Sequence, residues 1–240
     1  MAPRTPIVLE HTTLEQTLAY ILSNAAAPTT IVFAGLKNDL FAQLSPPPDP
    51  EGTDSPASPT HCPSSAWAVP TLKLLASSRG IKMVFCPDIT HLRAYLGTNQ
   101  HQPDRNDEMC QHGGSQERIL ALINPIALHR PTSTFSAQGL NRTFAAAVEA
   151  AFRSKAKLVI AECNPSSSGA ATDVSGEDSE VGERSPNVPA PDLWDEEVSI
   201  LNVTTKSFGI GGRGWVGRTV KLRAVAGRWC VFQTLAELVE

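Results

Sequence analysis

Gly209-Ile-Gly211-Gly212-Arg213-Gly214 spells, letter for letter, the glycine fingerprint of a dinucleotide site. Those glycines work by bringing backbone N–H groups against a pyrophosphate at the start of a helix. Here the run leads into Trp215-Val216-Gly217-Arg218-Thr219-Val220, a strand-like stretch, so it reads as a hairpin tip. The residues around it are basic: from Lys206 to Trp229 there are six cations (Lys206, Arg213, Arg218, Lys221, Arg223 and Arg228) and no acid. Arg218, Lys221 and Arg223 on one strand face, with Lys206, Arg213 and Trp215 nearby, would let cations meet a phosphate backbone while the indole stacks on a base. The plainer reading is an ordinary solvated strand face.

Other chemistry is thin. No G-x-x-x-x-G-K-[ST] phosphate loop, G-x-S-x-G elbow or H-E-x-x-H pair occurs, so ATP hydrolysis and the common hydrolase mechanisms lack their residues. His129 and Arg130 follow an apolar run and would sit where open α/β sheets keep their sites, but one histidine without partners reads as a structural loop residue. The five cysteines (62, 86, 110, 163 and 230) are odd in number and widely spaced, which points to thiols in a reducing compartment. His61-Cys62 and Cys110-Gln-His112 do not match structural zinc spacing, so no metal and no cofactor are expected.

The elements that must position these residues alternate. Ile119 to Ile123 is an unbroken apolar run, the mark of a parallel strand covered on both faces, and Asn124-Pro125 ends it. Ser136 is placed to cap a helix in which Leu140, Phe144, Val148 and Phe152 recur every four residues, and Leu158 to Ala161 is a second buried strand. Strand, crossover helix and strand make a parallel βαβ unit. Leu14, Leu18, Ile21 and Leu22 predict a helix within residues 7 to 24, and Thr29 to Ala34 reads as the first strand. The turn Gly35-Leu36-Lys37-Asn38 after it is where a phosphate loop would fall, yet it has one glycine and no Ser or Thr after Lys37. Val69 to Ser78, capped by Gly80, predicts a helix, Ile81 to Cys86 a strand, and Ile89, Leu92 and Leu96 another helix. The β-branched and aromatic tail, from Val198 to Thr205, Trp215 to Val225 and Trp229 to Gln233, predicts an antiparallel extension of the sheet, and Thr234 to Glu240 a short closing helix.

At 240 residues and 41% hydrophobic, the chain suffices for one α/β domain. Polar insertions interrupt it at about 45–66, 97–116 and 164–192, each reading as disordered; the third carries six acids against Arg184. No apolar run approaches a membrane span, and Met1 to Glu10 lacks a signal-peptide core, so a nuclear or cytoplasmic protein is expected. A net charge of −4 confines any nucleic-acid contact to a local patch.

ILALINPIALHR followed by SAQGLNRTFAAAVEAAFRSKAKLVIAE resembles the second half of the RecA-type recombinase core: a Walker B strand, a loop, a helix opening near Ser-Ala-x-x-Leu, and a strand leading into a long loop. The tail TVKLRAVAGRWCVFQ is similar to its closing strands. The resemblance covers about half the chain and rests on pattern. It implies a RecA-like, mostly parallel sheet flanked by helices with antiparallel C-terminal strands. Asn124 stands where that family keeps a magnesium-binding Asp, and with the phosphate loop absent it implies a member without ATPase activity. Such members include Shu-complex-type recombinase paralogues and Elongator accessory subunits. The implied partner is another RecA-like subunit or recombinase, with DNA as a further ligand. An enzyme with an unrecognised site at the end of the strand closing at Asn124 is the reading from another class.

Overall fold

The computed structural model describes residues 5–45, 71–98, 117–163, 192–201 and 218–238. The expected insertions fall almost wholly outside the described residues, as do Lys206, Arg213, Trp215, the glycine run 209–214 and the paired His61-Cys62 and Cys110-Gln-His112. The strands are β1 (Ile7–Glu10), β2 (Ala25–Ala34), β3 (Ile81–Cys86), β4 (Glu117–Ile123), β5 (Lys157–Ala161), β6 (Glu197–Ser199), β7 (Thr219–Lys221) and β8 (Val231–Thr234). Six of them form one sheet in the order β3-β2-β4-β5-β1-β8, with every neighbouring pair parallel. Strands β6 and β7 pair antiparallel in a separate small sheet. The helices are α1 (Leu14–Asn24), α2 (Lys37–Leu44), α3 (Leu72–Ser78), α4 (Ile89–Thr98), α5 (Pro125–His129), α6 (Ala137–Arg153) and α7 (Leu222–Ala226). The protein is therefore an α/β fold, a parallel sheet flanked by helices with an antiparallel pair near the C-terminus.

Alternation along each strand divides the core in two. Ile7, Leu9, Ile31, Phe33, Ile119, Ala121, Ile123 and Val159 pack against Leu14, Leu18 and Ile21 of α1 and Leu40 of α2. On the opposite face Val8, Val32, Leu120, Leu122, Leu158 and Ile160 meet α4, α6 and α7. Because both faces are covered, the central strands read as continuous apolar runs.

Several expectations change. The helix predicted within 7 to 24 begins only at Leu14; Ile7-Val8-Leu9 is a buried interior strand between β5 and β8, and His11 in the left-handed region (φ 49°) turns the chain between the two. Four residues are too few for a periodic signal. In α6, Ser136 caps the helix as expected by accepting from the Gly139 N–H at 3.1 Å, but the buried face runs Leu140, Thr143, Phe144, Ala147, Ala150 and Ala151. A strict four-residue repeat gains about 40° of rotation per step on a helix of 3.6 residues per turn. Phe152, the end of that repeat, has accordingly rotated out and is 83% exposed. The tail departs most. Leu222–Ala226 is a helix, and β8 joins the main sheet parallel to β1, so the antiparallel pair β6 and β7 stands apart from it. Where a closing helix is expected over Thr234 to Glu240, the described residues show a 3-10 turn, Ala236–Leu238.

Candidate functional site

Open α/β sheets place ligands beyond the carboxyl ends of their strands, where neighbouring strands send their chains to opposite faces. Two such places occur here. After β2 the chain goes to α2 on one face, while after the adjacent β4 it goes to α5 and α6 on the other. Likewise β5 and β1 are neighbours: α1 follows β1 on one face, and the described chain after β5 resumes with Trp194 and Val198 packed on the other.

At the first crevice, Gly35 takes φ 154°, and a Cβ there would stand 2.9 Å from Cε1 of Phe33. Two of the N–H groups that a phosphate would use are already engaged. Gly35 N–H donates to the Cys86 carbonyl at 2.8 Å and Leu36 N–H to Asp39 Oδ2 at 2.9 Å, so the start of α2 is closed by a carboxylate. Lys37 Nζ lies 5.5 Å from the centre of the Phe41 ring. The turn read as the first strand-turn-helix is also the second one in the chain. The first is β1, His11-Thr12-Thr13 and α1, which has neither glycine nor lysine.

Asn124 closes β4 with φ 60°, buried to 3% exposure. Its Oδ1 accepts from Cys163 N–H at 2.7 Å, its Nδ2 donates to Gln43 Oε1 at 3.3 Å, and its own N–H donates to the Ala161 carbonyl at 2.8 Å. From Cys163 the string continues through Sγ to Thr17 Oγ1 (3.3 Å) and on to Thr12 Oγ1 (3.1 Å), joining both crevices. Burial pushes the Cys163 thiol up to about 12, which removes it as a nucleophile near neutral pH.

Glu162, half-buried beside this string, accepts from the N–H groups of Ile126 and, at 3.4 Å, Ala127 at the start of α5. Loss of solvent raises its carboxyl to about 8, against the opposing pull of those N–H groups and of Arg130. Arg130 in turn pairs with Glu196 ahead of the small sheet. His129 is fully buried: Nε2 lies 2.9 Å from Thr143 Oγ1, and Nδ1 3.3 Å from both the Thr134 carbonyl and its Oγ1. Arg93 Nε donates to the same Thr143 oxygen at 3.1 Å, so the network closes when Thr143 donates to Nε2 and Nδ1–H donates to Thr134. Burial holds His129 down at about 4 and therefore neutral.

At the second crevice Glu10 and Asp192 both accept from Arg223 Nη2, the latter at 2.8 Å, and the guanidinium lies 4.6 Å from the Phe232 ring centre. Glu10, His11 and Asp192 bring ligand-type atoms within 4.8 Å of one another, but a cation would have to displace Arg223. Lys221, on β7, pairs with Asp195 at 3.1 Å. Of the residues read as a phosphate-facing strand, Arg223 thus lies on a helix and Lys221 and Arg223 both carry carboxylate partners; Arg218 is exposed just ahead of β7. A cavity of about 310 Å³ is lined by Gln138, Asn141, Ile200, Leu201, Val225 and Arg228 among others.

Sequence reading missed Gln43, Glu10, Asp192 and Glu162. Only Glu162 left a signal, as an acid ending a buried strand. No protein-family model matches this chain, and no curated protein matches it. Fold and edge together define an α/β protein whose polar groups at the carboxyl ends of the strands are engaged with one another.

Proposed function

We propose that this chain is a non-catalytic, RecA-like subunit of a homologous-recombination or DNA-repair complex, working in the nucleus by holding another RecA-like subunit or a recombinase. The observation carrying this reading is the end of β1. The first strand-turn-helix unit of an α/β sheet is the natural seat of a phosphate grip, and here it ends in Glu10 tied to Arg223 and faced by Asp192. Carboxylates there repel phosphate. With Asn124 used to fasten β4 to β5, magnesium has no acid at the second position either. The scaffold around these positions is intact, which supports retention for assembly instead of turnover.

Affinity purification of the full chain with mass spectrometry tests the reading. Recombinase relatives should co-purify; recovery of Elongator subunits would replace the reading with the tRNA-modification role of that complex. Contact with DNA through the C-terminal cations would depend on Arg218 together with Lys206, Arg213 and Trp215, since Lys221 and Arg223 are already offset.

A further inference from the structure

The edge of the sheet opposite the carboxyl ends has the other sign of charge. Arg79 precedes β3, Lys82 stands near its start, Arg118 is the second residue of β4, and Arg153, Lys155 and Lys157 mark the passage from α6 into β5. Among the described residues there, these six cations meet two acids, Glu117 and Glu149, the second paired with Arg153 at 3.1 Å, in a chain whose overall charge is −4. Registers fix their spacing. Lys82 lies opposite Thr30, Thr30 opposite Leu120, and Leu120 opposite Leu158, so these four share one face of the sheet, where Lys82 Nζ lies 5.5 Å from the centre of the Tyr95 ring; Lys157, one residue before Leu158, meets the same margin from the other face. That row spans three strand spacings, about 14 Å. Within it a pocket of about 30 Å³ is lined by Thr30, Arg118 and Ser154 with Pro28, Ile119, Leu120 and Ala156, room for one small polar group such as a phosphate oxygen. Phe152, 83% exposed, accepts at its carbonyl from the Lys155 N–H at 3.1 Å, in the turn that leads to Lys157 at the start of β5.

We propose that this amino edge binds single-stranded nucleic acid, with phosphates held along the band from Lys82 to Lys157 and a base stacked on Phe152. Cations alone would suit any polyanion. The ring selects nucleic acid, because an aromatic side chain left in water beside a cationic band offers a π-face that a base can cover and an acidic polypeptide cannot. The surface is separate from the C-terminal cations and needs no RecA-like partner, so failure of the pull-down would leave it standing.

The experiment is fluorescence anisotropy of the full chain with labelled single-stranded DNA and RNA of one sequence across a salt series. Arg79→Ala/Lys155→Ala/Lys157→Ala should weaken binding at least about tenfold at low salt and lower the log–log salt slope by about two, each lost phosphate contact contributing roughly 0.7. Phe152→Ala should weaken it about tenfold with the slope unchanged, and Phe152→Trp should hold or tighten it. Lys221→Ala should bind as the wild type does. Preference for the RNA or for the DNA would name the source of the ligand. Wild-type affinity in the triple variant or in Phe152→Ala would overturn the proposal, as would displacement of the oligonucleotide by poly-glutamate as effective as by unlabelled oligonucleotide. All substituted side chains lie at the surface or its margin, and unchanged thermal melting of each variant confirms that the comparison is of surfaces.

Discussion

Asn124 does two tasks that few side chains combine. Its backbone sits at φ 60°, which costs most residues about 1–2 kcal/mol and Asn less, and its carboxamide supplies the acceptor for the buried Cys163 N–H. Asn124→Ala should therefore cost about 2–4 kcal/mol in urea unfolding, the sum of backbone strain and an orphaned donor. Asn124→Gly, which relieves the strain alone, should cost less. His129 makes a pH prediction. Its folded value, about 4, lies below the ordinary 6.5, so between those limits the unfolded chain binds a proton that the folded chain does not. Stability should fall as pH drops from about 6.5 toward 4, by up to roughly 3 kcal/mol, and His129→Gln should lose that component. Glu162 drifts the other way. Its folded value is raised from 4.5 to about 8, so its contribution is lost as pH rises through that interval, and Glu162→Gln should flatten the alkaline side of the same profile.

At the scale of elements, α6 and its approach decide most. Phe144 is 1% exposed at the centre of the helix's buried face and Phe152 is 83% exposed at its end. Phe144→Ala should destabilise by about 3–5 kcal/mol, while Phe152→Ala should stay within about 0.5, a contrast readable in denaturant midpoints. Gly139 gives a result opposite to helix propensity. A Cβ there would stand 2.0 Å from the Thr134 carbonyl, because the loop holding His129 folds onto the first turn of the helix. Gly139→Ala should cost about 1–3 kcal/mol of overpacking, although the same change in an open helix would be favourable. Helix α7 is tied down differently. Arg223 joins β1, through Glu10, to the turn at Asp192 and lies over Phe232 of β8, so it fastens three elements that are distant in sequence.

At the scale of the whole molecule, the charges of the described residues are polarised across the sheet. Acids gather at the carboxyl edge, including Glu10, Asp39, Glu162, Asp192 and Glu196, and cations at the amino edge. A phosphate ligand entering over β1 meets like charge, so saturating ATP with Mg²⁺ should leave the melting temperature unmoved. A site filled at a hundred times its Kd would instead add about 2.7 kcal/mol, several degrees in a melt. No helix among the described residues is long and apolar enough to cross a membrane.

What the sequence by itself determined was local and periodic. The apolar runs Ile119 to Ile123 and Leu158 to Ala161, the Ser136 cap and the absence of a phosphate loop are legible because each depends on neighbours within a few residues. Strand order, the placing of β1 inside the sheet and the parallel return of β8 were decided only by the tertiary structure, since β1 is four residues long and its partners lie far along the chain. The same holds for charge. Arg223 reads as an exposed cation until Glu10, 213 positions away, is brought against it, and a carboxyl group such as Glu162 takes its proton affinity from the walls around it. Pairings over such separations leave no periodic trace; only closure of the sheet creates them.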